Sequence, residues 1–270
     1  MKMLSVAAAA LATLIGAPAF AADMALKAPP VAPTCAWCGW YVGGNVGYGW
    51  GEKTDPNLSA ASPGGGAGAN IVAFLTTGVG GLPNGNLYPN LKPSGALGGL
   101  QVGYDQQYAN WVLGVVADFQ AADWSATNTV TTPATTGVNV DETLAANVRW
   151  FGTVRARVGV TTNNILFYGT GGLAYGQVAE NIGFACTPGG IGCAGINFLG
   201  SNSSTRAGWA AGAGIATKVG SHVSIGLEYL HVDLGRSSVT GSQQAIPATT
   251  ITESQRIAND LLRVVLNYGF

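Results

Sequence analysis

Asn147-Val148-Arg149-Trp150-Phe151-Gly152-Thr153-Val154-Arg155-Ala156-Arg157-Val158 reads with a period of two. Val148, Trp150, Val154, Ala156 and Val158 share one face; Asn147, Arg149, Thr153, Arg155 and Arg157 share the other. Successive side chains of a strand point to opposite faces, so this alternation predicts a strand. One of its faces is apolar and the other carries three arginines. What surrounds that strand decides the architecture.

Working outward, the same period recurs. Trp40 to Trp50 places Trp40, Val42, Val46, Tyr48 and Trp50 opposite Gly43, Asn45, Gly47 and Gly49. Gly95 to Gln106 places Leu100, Val102 and Tyr104 against Gln101, Gly103 and Asp105. Trp111 to Ala122 places Leu113, Val115, Ala117 and Phe119 against Gly114, Asp118 and Gln120. Beyond the opening stretch come Ile165 to Gln177, Arg206 to Lys218, Val223 to Leu234 and Arg256 to Phe270, which makes eight strands. The connections alternate. Long ones are expected at Glu52–Ser94, Trp124–Glu142, Val178–Thr205 and Gly235–Thr252, and short ones at Tyr108–Asn110, Thr161–Asn164 and Val219–His222. An even number of long strands with size-sorted loops is the pattern of an outer-membrane barrel, long loops outside and short turns in the periplasm. A soluble sandwich would not ordinarily sort its loops in this way.

Composition supports a membrane wall. Only 9% of residues are charged, 41 of the 270 are glycine, and the formal net charge is −1. A typical soluble domain has roughly 25% charged residues. No basic field exists to hold nucleic acid, and no Gly-x-y period supports a collagen. Lys2, the apolar run Leu4 to Ile15, Pro18 and Ala19-Phe20-Ala21 predict a cleaved secretory signal peptide over residues 1–21. Its removal leaves 11 basic against 13 acidic residues. Residues 22–38 are expected as a periplasmic N-terminal extension and 39–270 as the barrel. No later apolar run is long enough for a transmembrane helix. The expected fold class is therefore all-β, an eight-stranded antiparallel transmembrane β-barrel with long external loops and short periplasmic turns.

At the C-terminus, Leu262, Val264, Leu266, Tyr268 and Phe270 share one face, with Arg263 and Asn267 between them. A terminal Phe with that alternation resembles the signal read by the barrel-assembly machinery. The mature start Ala25-Leu26-Lys27-Ala28-Pro29-Pro30, the first strand GWYVGGNVGYGWG (Gly39 to Gly51), YGTGGLAYG (Tyr168 to Gly176) and EYLHVDLG (Glu228 to Gly235) sharpen the likeness. Over essentially the whole mature chain the sequence resembles the opacity or immunogenic type of small Gram-negative outer-membrane β-barrel, often labelled "porin family". The resemblance implies an eight-stranded barrel in the cell outer membrane. Members are described variously as porins, antigens and envelope-stabilising proteins. The chain departs from the pattern at Val116, where members often carry Glu, and in its Cys35-Ala36-Trp37-Cys38 motif.

An eight-stranded interior is just wide enough to be filled by side chains. The inferred lumen cluster is Arg149, Arg155, Arg157 and Arg263 with Asp118 and Glu228. Unpaired charges there are costly, so Arg155 or Arg157 is expected to pair with Glu228, and Arg263 with neighbours across the seam of the last strand. The many lumen glycines are the one feature favouring a conducting path. Trp40, Tyr41, Tyr104, Trp111, Tyr268 and Phe270 are expected in a periplasmic aromatic girdle, Trp50 and Trp124 in an outer one. Cys35 and Cys38 fall on the periplasmic side, Cys186 and Cys193 outside, with an apolar band of roughly 25 Å between. A disulfide spans about 5.5–6 Å between Cα atoms, so only the local pairs are expected. Redox and half-metal-site readings of Cys35 and Cys38 lack a βαβ context and a second ligand pair.

Of two histidines, His222 falls in a short turn and His231 near the outer end of a strand. Lipid-deacylating barrels place Ser two residues after their His, where this chain has Asp233. No nucleophile–base pair is evident, so an enzyme is not expected; neither is a cofactor, a bound metal or nucleic acid. The reading is a barrel with a structural, envelope-stabilising role and surface-exposed loops. A narrow porin or small-solute channel is the alternative, and a surface adhesin or ligand-binding protein, with specificity in Glu52–Ser94 and Val178–Thr205, the next. The expected partners are outer-membrane lipid and, during biogenesis, the barrel-assembly machinery, with the protein itself a monomer.

Overall fold

In a computed structural model the described residues are 35–52, 57–76, 91–133, 139–186 and 197–270. The signal-peptide segment and Cys193 lie outside them. The strands are β1 (Gly39–Gly51), β2 (Asn57–Ala61), β3 (Gly95–Tyr108), β4 (Trp111–Pro133), β5 (Asn139–Thr162), β6 (Ile165–Cys186), β7 (Asn197–Lys218), β8 (Val223–Gln243) and β9 (Thr250–Gly269), with a helix α1 (Gly66–Thr76) after β2. Each long strand pairs antiparallel with the next, from β1–β3 through to β8–β9. β1 then pairs with β9, from Tyr41↔Gly269 to Gly51↔Asn259, and closes the ring. Eight long strands thus form the barrel, as the sequence leads one to expect. Closure matters because lipid offers backbone groups no hydrogen bonds. The short turns hold Ala109 at φ 53°, Asn163 at φ 55° and Gly220 at φ 89°. Asn and Gly are residues that tolerate this left-handed region.

The outer wall is apolar and exposed around the ring. It includes Trp40, Val46, Leu100, Val115, Val154, Phe167, Leu173, Ile215, Leu227 and Val264. In water such a surface would far exceed the usual patch on a monomer; in a bilayer it is the lipid-facing band. Leu262, Val264, Leu266, Tyr268 and Phe270 all point outward on this wall.

Three expectations change. First, most of the long connections are strand. β5 has 24 residues, where crossing a membrane takes about 9–11. β4 to β9 continue beyond the bilayer as an extracellular β-extension, and β2 pairs with Asn57↔Ser254 to Ala61↔Thr250 where β1 has already ended. Thr127, Thr129 and Thr131 face out to water while Leu144, Ile182 and Phe184 are buried. The segments have a loop-like composition and a strand's alternation. Second, the β5 ladders shift register between Val148 and Trp150. The bulge adds one residue and reverses the alternation. Val148 therefore turns inward, and Arg149 stands exposed outside. Arg149 is not a lumen residue. Third, Tyr41 and Trp124 are buried in the interior, not in the girdles. They occupy space left by glycine: a Cβ on Gly103 would lie 2.3 Å from the Tyr41 ring, and one on Gly49 2.5 Å from Trp124. The inner glycines at these positions admit aromatic rings and do not open a path.

Candidate functional site

The interior is layered. At the periplasmic mouth a Cys35–Cys38 disulfide, with Cα atoms 5.6 Å apart, closes a short turn. The turn inserts Trp37 among Val112, Leu166, Tyr168 and Ala216. The Trp37 backbone N–H donates to Gln107 Oε1 at 3.1 Å, and Lys218 Nζ sits 4.9 Å over the indole. Behind it, Arg157 Nη1 pairs with Asp105 Oδ2 at 3.1 Å, the guanidinium lying 4.4 Å from the Tyr168 ring centre. The cavity between them, about 20 Å³, has room for one water.

The second layer joins five strands, β4, β5, β6, β8 and β9. Arg155 Nη2 reaches Asp118 Oδ2 at 2.7 Å, and its Nη1 pairs with Glu228. Arg263 Nη2 lies 3.0 Å from Asp118 Oδ2 and 3.4 Å from Glu228 Oε2. Thr153 Oγ1 donates to Asp118 at 2.9 Å and accepts from Arg155 Nε at 2.8 Å; Tyr168 donates to Glu228 at 3.3 Å. Two guanidiniums and two carboxylates balance. Both arginines are 1% exposed. Strand parity places Asp118, Arg155 and Thr153 inward, and the β8–β9 register sets Glu228 directly opposite Arg263. Of the expected pairings, Arg155 takes Glu228, and Arg157 takes Asp105, which the sequence reading left outside the cluster. Val116 is a buried apolar neighbour of Arg155 in register.

The third layer is apolar. Leu97, Trp124, Val148, Phe151, Val178, Leu230, Leu234 and Leu261 pack together, with the Trp124 and Phe151 rings stacked at 4.8 Å.

The fourth layer fills the extracellular extension, where the sequence pattern predicts loops. Glu180 accepts from Ser237 at 2.6 Å and from Gln255 Nε2 at 2.7 Å. Glu142 and Glu253 are each 1% exposed, and none of their carboxylate oxygens has a hydrogen-bond partner among the described residues. Burial, then the charge of Glu253, pushes Glu142 up to about 9. Burial, then Glu180, pushes Glu253 up to about 8. Both therefore hold protons at neutral pH. All three lay in or at the edge of expected loops. The signal that could have found them is the alternation Glu142-x-Leu144-x-Ala146 and Glu180-x-Ile182-x-Phe184.

On the outer wall, Trp50, Trp150, Tyr175, Trp209 and Tyr229 mark the external boundary. There His231 Nδ1 lies 2.9 Å from Asp260 Oδ1 and 3.7 Å from Glu52 Oε1. At the opposite end His222 stacks on Tyr268 at 5.6 Å.

The family model described as "Outer membrane protein beta-barrel domain" matches residues 7–270. The chain belongs to this outer-membrane β-barrel family. It is similar to the 31 kDa outer-membrane immunogenic protein of Brucella melitensis, 32% identical over 99% of this chain and 100% of that protein. It is also similar to the 25 kDa outer-membrane immunogenic protein of Brucella abortus, 26% identical over 100% of this chain and 99% of the relative. Among solved structures, the outer membrane protein OprG from Pseudomonas aeruginosa covers 86% of this chain and 96% of its own, at 11% identity and a TM-score of 0.46. The relatives are outer-membrane proteins, and the barrel's apolar wall suits the same location.

Proposed function

We propose that this outer-membrane barrel is a sealed structural element of the envelope that carries a β-rich extension at the cell surface. The observation that carries the reading is the continuous filling of the interior. The buried Arg155–Asp118–Glu228–Arg263 network is capped below by Trp37 and above by the apolar layer around Trp124 and Phe151. A water-filled pore needs polar, solvated walls along its length; paired charges beneath a dry layer oppose it. In this reading the protein is a monomer in lipid, because the closed ring leaves no unpaired strand edge in the membrane, and the outward C-terminal face serves the assembly machinery. The test is solute uptake by liposomes carrying the folded mature protein. Swelling rates in small sugars should match protein-free vesicles; size-dependent uptake would replace this reading with the narrow porin.

A further inference from the structure

We propose that Glu52, His231 and Asp260 bind one divalent transition-metal ion, of which Zn²⁺ is the type, at the outer membrane–water boundary. One nitrogen and two carboxylate oxygens lie within 4.8 Å of one another. His231 Nδ1 stands 2.9 Å from Asp260 Oδ1 and 3.7 Å from Glu52 Oε1. Donors of a tetrahedral zinc ion, with bonds of roughly 2.0–2.1 Å, are about 3.3 Å apart, so these separations bracket what the ion requires with small side-chain shifts.

The backbone prepares the arrangement. Asp260 sits in register between Trp50 of β1 and His231 of β8, and the Glu52 N–H donates to Ala258 O at 3.0 Å, which holds the end of β1 against β9. Tyr229 OH donates to Asp260 Oδ1 at 2.7 Å, and Trp209 lies 5.0 Å from the His231 ring. Metal-ligating carboxylates are characteristically hydrogen-bonded in this way, as Asp260 is by Tyr229. The electrostatics favour a cation. Two carboxylates meet one imidazole; the nearby Arg256 also feels Glu52, but its hydrogen bonds go to Asp233, its Nε donating at 3.0 Å. An imidazole with carboxylates selects zinc-type ions over Mg²⁺ and Ca²⁺, which prefer all-oxygen shells. Three protein donors leave a coordination position open to water or to an anionic lipid headgroup oxygen.

The test is Zn²⁺ titration of the folded mature barrel in detergent against a competing chromogenic chelator, with copper quenching of tryptophan emission as a second readout. One equivalent should bind. His231→Ala and Asp260→Asn should each weaken binding by more than the roughly 10–100-fold that loss of an outer-shell partner costs. Glu52→Gln, at an exposed position, should weaken it as well, and His222→Ala should leave it unchanged. Heat-shift gels confirm folding of each variant. Binding that survives His231→Ala, that disappears in His222→Ala, or that excess Mg²⁺ displaces would overturn the proposal. Repeating the titration in bilayers with and without anionic lipid shows whether the open position takes water or a headgroup; a rise in affinity with anionic lipid supports the headgroup.

Discussion

The membrane-embedded interior and the interior of the extracellular extension bury carboxylates to the same degree but neutralise them differently. In the membrane, Asp105, Asp118 and Glu228 each face a guanidinium. In the extension, Glu142 and Glu253 face other carboxylates and no cation among the described residues, and they are neutralised by protons. A buried charge must be compensated by something. Fixed arginines do so over a wide pH range, whereas protons do so only while the medium supplies them. The two halves of one sheet should therefore respond oppositely to mutation and to pH.

The largest effect should come from breaking the embedded network. Arg263→Ala leaves Asp118 and Glu228 with less positive charge than they need, and removing one partner of a buried pair costs about 3–5 kcal/mol. Urea unfolding in lipid vesicles should show that loss; a change under 1 kcal/mol would mean that water reaches the network.

The pH response comes next. Glu142 and Glu253 have folded pKa values raised above 4.5, to about 9 and about 8. Their protonated forms fit the folded state, so their contribution is complete below pH 4.5. It is lost progressively as pH rises through 8 and 9. Limited proteolysis should open the extension faster at pH 9 than at pH 6, after correction for the protease's own pH profile. Glu142→Gln with Glu253→Gln should flatten that dependence; an unchanged slope would place the sensitivity elsewhere.

Two smaller changes sharpen the comparison. Thr153→Val removes the hydroxyl linking Arg155 to Asp118, and unfolding should show a cost of about 1–3 kcal/mol for the groups left short of a partner. Arg149→Ala should stay within about 0.5 kcal/mol, as expected of an exposed surface position. An Arg149 effect as large as that of Arg263 would contradict its outward placement at the bulge.

The membrane-crossing strands were legible because lipid imposes a simple rule: apolar residues outward, every second position. The extension inverts the rule. Water surrounds it, so Leu144, Val148, Ile182 and Phe184 turn in and threonines turn out. A reader looking for apolar-out strands sees only polar loops. In β5 the inversion coincides with the bulge at Arg149, and the same one-residue insertion made that arginine look internal. Parity identified Asp118, Arg155, Arg157, Glu228 and Arg263 as inward residues. It led to the Arg155–Glu228 pair but not to the other partners: Asp105 meets Arg157 across Gly114, Asp118 meets Arg155 diagonally on the neighbouring strand, and Arg263 reaches Asp118 from β9. The glycines were legible as inner positions, but their purpose depends on which ring lies across them, as Tyr41 does at Gly103.

The sealed interior is tested most directly by single-channel recording of the refolded mature protein in a planar bilayer at two salt concentrations. The expected result is no steady conductance steps from protein shown to be folded by its heat shift. Reproducible, salt-dependent steps with ion selectivity would mean that the arginine–carboxylate layer and the apolar layer above it leave a continuous aqueous path, and the structural reading would fall.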